Sequence, residues 1–223
     1  MLASAVASQF TEAPETITVT YAIDNWLMTP GSWLTVQEFL KPSQVFAEGE
    51  WRRAPLMVRS SVFDFGRSRG RQRVLAYPGG EIVTVPRHTG ARKVAVQMTA
   101  STFASPAAAR ILPAPIVVGS LAARAALRIA RRRLTGRLPD RVHKAERAGS
   151  SFEIVVEATD GDGARRATAQ GSDIYGISAI TSANLAMTLA DGIADSGVLS
   201  PAQAVDAPSF LAQLRFDGFS CQL

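Results

Sequence analysis

The chain has 223 residues, 47% of them apolar and 19% charged, with 24 Lys+Arg against 19 Asp+Glu. That balance excludes wholesale disorder, and a chain of this length buries roughly 70% of its unfolded surface in a sizeable core. The longest uncharged apolar stretch, residues 111–123, is broken by Pro113 and Pro115 and falls short of the ~20 residues a membrane-spanning helix needs.

Residues 2–9 read as a short helix of small residues that starts without a cap, as if cut from something longer. No basic start followed by an apolar core marks a signal peptide there. Residues 15–24 alternate Thr, Val, Tyr and Ile and read as a strand. Thr35 followed three residues later by Glu38 is a capping box, which predicts a helix over 33–41. Short β-branched or aromatic strands are then expected at 44–48, 57–65, 73–76, 81–86 and 92–98, separated by Gly, Pro or charged turns such as Tyr77-Pro78-Gly79-Gly80. Residues 65–70 read as a hairpin turn.

From residue 105 the chain becomes Ala-rich and helical in pattern, followed by a polar linker, so that 105–150 reads as a basic helix and linker excursion. Strands are expected at 151–159 and 165–171, joined by Asp160-Gly161-Asp162-Gly163. That turn fits a hairpin, because no Glu follows at the twelfth position of a calcium loop. Apolar residues at Ile177, Ile180, Leu185 and Leu189 predict a helix over 174–191, and two short helices follow at 201–205 and 208–216. A sheet with packed helices and a late hairpin indicates a single α+β domain over residues 1–223, with a mixed, mostly antiparallel sheet.

The positive charge is local. Nine basic and two acidic side chains between Leu121 and Arg147 leave that segment at +7 and the rest of the chain at −2. Arginine outnumbers lysine 21 to 3, which fits the codon bias of a GC-rich bacterial genome. No aromatics interleave the patch and no zinc-finger, helix-turn-helix or RNP pattern accompanies it, so nucleic acid is not an expected partner. A helix over 121–134 would carry Arg124, Arg128 and Arg131 on one face; such a face either lies on an anionic membrane surface or is simply solvated. The single cysteine, Cys221, permits no internal disulfide and points to a reducing, cytoplasmic compartment.

Phosphate-binding glycine motifs, a G-x-S-x-G elbow and metal-ligand spacings are all missing from the sequence. No metal and no cofactor is therefore expected to bind within this chain. His88, beside Arg87 at the end of an expected strand, could shuttle a proton next to a bound carboxylate; the alternative is a loop histidine satisfied by backbone. Asp173 or Ser172 caps the long helix, or that helix's N-terminus and the Tyr175 hydroxyl hold an anionic group. Glu81, after a Gly-Gly turn, is a further polar candidate.

The run Gly171-Ser172-Asp173-Ile174-Tyr175-Gly176-Ile177-Ser178-Ala179 leads into an Ala/Leu-rich helix. Ser196-Gly197-Val198-Leu199-Ser200-Pro201-Ala202-Gln203-Ala204 follows, then Phe210-Leu211-Ala212-Gln213-Leu214 with Gly218. In order and spacing these resemble the second domain of the saccharopine dehydrogenase-like oxidoreductases, and residues 77–81 and 85–88 are similar to that family's middle region. The resemblance covers nearly the whole chain. It implies a sheet covered by helices, similar to the C-terminal domain of glyceraldehyde-3-phosphate dehydrogenase-like enzymes, that binds a small-molecule substrate and supplies a homodimer contact. It also implies an NAD(P)-binding Rossmann domain elsewhere in the complete enzyme, absent from this chain, so that the chain alone is inactive. On that reading Arg87, Asp173 and Glu81 hold substrate while His88 or Tyr175 transfers a proton. A non-catalytic binding or scaffolding module, peripheral to a membrane through residues 121–134, is the competing expectation.

Overall fold

The computed structural model describes residues 1–27, 29–32, 44–53, 60–102, 142–161, 163–192 and 196–223. The helices expected at 33–41 and within 105–141, including the basic helix at 121–134, lie outside the described residues.

Strand β1 (Thr16–Asp24) is the centre of the sheet. Its period-2 pattern sends Ile17, Val19, Tyr21 and Ile23 to one face and Thr20 and Ala22 to the other, and of these only Tyr21 is not buried outright. It pairs in parallel with β6 (Lys93–Thr99) and antiparallel with β7 (Ser151–Thr159). The β7–β8 hairpin (β8, Ala164–Ser172) turns where expected, with the Gly163 N–H donating to Asp160 Oδ1 at 2.9 Å. Strand β9 (Ser220–Gln222) adds to the far edge of β8.

On the other side of the sheet, the outer edge of β6 is shared by two hairpins. Its first half takes β2 (Gln44–Ala47), which pairs with β3 (Glu50–Arg53); its second half takes β5 (Arg71–Ala76), which pairs with β4 (Ser60–Asp64). The path is therefore β3-β2-β6-β1-β7-β8-β9 with β4–β5 branching from β6. Apart from β1–β6, the described pairings are antiparallel, so the chain is an α+β fold with a mixed, mostly antiparallel sheet.

The helices cover the Ile17/Val19 face. Helix α1 (Leu2–Ala7) is too short to be stable alone; Ala3 and Val6 pack on Ile17, Val19 and Val156, and burying a valine of this kind contributes about 1.5–3 kcal/mol. Phe152, Met98 and Ile23 meet Ile177 of the later helix α5 (Ile174–Ala190) and Leu214, the residue just past the end of α7 (Ala207–Gln213). Between these two runs α6 (Pro201–Ala204), opened by a Ser200/Gln203 capping box. The opposite face carries a smaller core in which Phe63, Phe65 and Val74 of the β4–β5 hairpin lie over Ala22 and Val155. That hairpin's turn is clamped to the sheet: Arg69 bonds Glu153 at 3.0 Å and Asp24 at 2.5 Å, and Ser68 Oγ donates to Glu153 at 2.8 Å.

One expected strand is corrected. Residues 81–86 form no strand; they belong to two one-turn helices, α2 (Glu81–Thr84) and α3 (Pro86–Thr89). The reason is burial geometry. Ile82, Val85 and Thr89, spaced three and four apart, all point into the core, while Val83 is exposed. Pro86 suits the first position of α3, and Gly90 ends it in the left-handed region at φ 69°. Strands β3 and β9 were not foreseen. The short helix α4 (Lys144–Ala148) stands in the expected linker, capped by His143 and Glu146.

Candidate functional site

Between the sheet and its helix layer lies a cavity of about 580 Å³, within the range of small-molecule sites. Its floor is Val19, Tyr21, Ile154, Val156 and Ala169 of β1, β7 and β8. Its walls come from α2–α3 (Glu81, Thr84, Val85, His88), the first half of α5 (Ile174, Ile177, Ser178, Thr181) and α7 with its C-cap (Leu211, Leu214), with Met1 and Leu2 at one end. The lining is dominated by apolar side chains, so the few polar groups stand out.

Tyr21 projects from β1 and donates its hydroxyl to Glu81 Oε1 on α2. The phenol of Tyr21 is held well above its usual pKa, first by burial and then by the Glu81 charge and hydrogen bond. Tyr77 packs against it with ring centroids 6.1 Å apart, and burial together with the Glu81 charge pushes the Tyr77 phenol up to about 12. Gly79 makes room for this cluster, since a Cβ there would stand 2.3 Å from Glu81 Oε2 and 3.1 Å from Tyr77 Cε1.

His88 is the other polar side chain of note. Both ring nitrogens are shielded from solvent and neither has a hydrogen-bond partner. Burial pulls the imidazole below its usual pKa. The Thr84 carbonyl opposes the shift without reaching hydrogen-bond geometry.

Of the five residues given a substrate or proton-transfer role from the sequence, Glu81 and His88 meet on this cavity. The other three are placed elsewhere. The Arg87 guanidinium lies 6.0 Å over the Trp51 ring, whose Nε1 donates to the Ile82 carbonyl, so Arg87 braces β3 against α3 while Trp51 ties β3 to α2. Asp173 caps α5 by accepting from the Gly176 N–H at 2.8 Å, in the left-handed region at φ 50°, and stands 3.6 Å from Arg147. The Tyr175 hydroxyl donates to the Leu27 carbonyl and contacts Trp26 Nε1 and Ser32 Oγ at 3.1 and 2.9 Å. Tyr21, which no sequence motif marks, joins Glu81 on the cavity. The available signal was its place on the Ile17/Val19/Ile23 face of β1, where a buried hydroxyl needs a partner.

The Gly79-Gly80 turn itself does not fit a dinucleotide pyrophosphate. The Gly79-Gly80 turn opens a helix of only four residues, and the space a pyrophosphate would need beside Gly79 is filled by the Glu81 carboxylate. Among the described residues no group of three or more His, Cys, Asp or Glu side chains could hold a metal ion, and no helix is long and apolar enough to cross a membrane. No family model matches this chain, and no curated protein matches it.

Proposed function

We propose that the chain is the substrate-binding and oligomerisation half of a two-part, nicotinamide-dependent oxidoreductase similar to the saccharopine dehydrogenase-like enzymes. One observation supports this reading above the others: the separate segments that carry the resemblance converge on one cavity. Residues 77–88 contribute Glu81, Val85 and His88; residues 171–179 contribute Ile174, Ile177 and Ser178; residues 196–204 contribute Ser200, Pro201 and Ala202; and residues 210–214 contribute Leu211 and Leu214.

In this reading the cavity positions the substrate and keeps water from it, while a separate dinucleotide-binding domain delivers hydride. His88 is the proton-transfer group, and Glu81 with Tyr21 orients the polar end of the substrate. Asp173, Tyr175 and Arg87 act as a cap and two braces. A homodimer in the cytoplasm belongs to the same proposal.

Calorimetric titration of NADPH into the chain tests it: no saturable binding is expected, and micromolar binding would overturn the two-part reading. A Rossmann-coding stretch directly upstream in the same reading frame is the expected genetic context.

A further inference from the structure

We propose that the cavity takes an uncharged ligand, with an apolar body and a single hydroxyl or carbonyl group that hydrogen-bonds the imidazole of His88. This rests on the reading of the cavity as a small-molecule site. It goes further in assigning the charge and the polar group of the occupant.

Three observations carry it. The wall and floor side chains Val19, Ile154, Val156, Ile177, Leu211 and Leu214 provide an apolar bed. No arginine or lysine is among the described lining residues, and the carboxylate present, Glu81, would repel an anion. An anionic ligand would lose its hydration there without a side-chain cation to replace it. A cationic ligand would find Glu81 already engaged by the Tyr21 hydroxyl. Finally, both nitrogens of His88 are buried and unpartnered. A neutral imidazole offers one donor and one acceptor, and leaving both unmet is costly, so a ligand hydroxyl or carbonyl recovers what the protein forgoes.

The test uses the full chain at neutral pH with Nile red, an uncharged apolar dye, and competes it with 1-octanol, octanoate, octylammonium and octane. Octanol should displace the dye at concentrations about tenfold below either ion, as expected when one hydrogen bond is gained and no charge is buried. His88→Leu should erase most of octanol's advantage over octane. His88→Gln, which keeps a donor and an acceptor, should retain it and keeps the test informative if the leucine variant fails to fold. Competition by octanoate or octylammonium equal to that of octanol overturns this inference alone, as does a folded His88→Leu protein with unchanged octanol preference. Absence of saturable dye binding overturns the cavity reading and this inference with it.

Discussion

The Tyr21–Glu81 pair supplies the sharpest test of how the cavity is built. Tyr21→Phe removes one hydroxyl and leaves the ring in its contact with Tyr77. A hydrogen bond to a charged acceptor contributes about 1.5–3 kcal/mol, and Glu81 is only half-buried, which places the loss near ~2 kcal/mol. In a domain of this length that lowers the melting temperature by roughly 4–8 °C. Glu81→Leu alone leaves the Tyr21 hydroxyl buried without its acceptor and costs about 1–3 kcal/mol. The double variant loses the pair as a unit and should be little worse than either single change. Thermal and urea unfolding of the four proteins yields the coupling energy, expected at about 1.5 kcal/mol or more. Additivity within ~0.5 kcal/mol would show that the two side chains do not bond and that Glu81 is not held toward β1.

Three further outcomes follow from the same geometry. Asp173→Ala should cost about 2 kcal/mol, roughly half from the lost cap and half from placing alanine in the left-handed region, whereas Asp173→Asn should lose ~0.5 kcal/mol; urea unfolding checks both, and neither should change ligand affinity. Arg69→Met should destabilise the fold by about 3 kcal/mol, because Glu153, with only 5% of its side chain exposed, keeps Ser68 alone as a partner. Adding Glu153→Leu should restore most of that loss, and no restoration would show that the buried charge is not its source. Alkaline titration followed by phenolate absorbance should show Tyr21 and Tyr77, two of the three tyrosines, ionising late. Their folded-state pKa values are raised, so the stability they contribute is fully present below pH 10 and is lost as pH rises, through about 12 for Tyr77.

The elements legible in the sequence are those whose signal lies within a few neighbouring residues. Strands β1, β7 and β8 announce themselves through β-branched alternation and the Asp-Gly turn, and α5 through its Asp173 cap and apolar spacing. Those signals sufficed for the α+β class. They did not suffice for residues 81–86, where Ile, Val, Thr and Val favour a strand by propensity and three-dimensional burial of Ile82, Val85 and Thr89 selects helix. Strand β3 has no alternating pattern, being exposed along its length; pairing with β2 and the Trp51 contacts to Phe46 and the Ile82 carbonyl create it. The candidate site divides in the same way. Glu81 and His88 drew notice as titratable groups in unusual local settings, but the bond from Tyr21 to Glu81 spans sixty residues of chain. Which polar groups share a cavity depends on strand order and helix placement, and these are set by packing between distant segments rather than by any one segment's own residues.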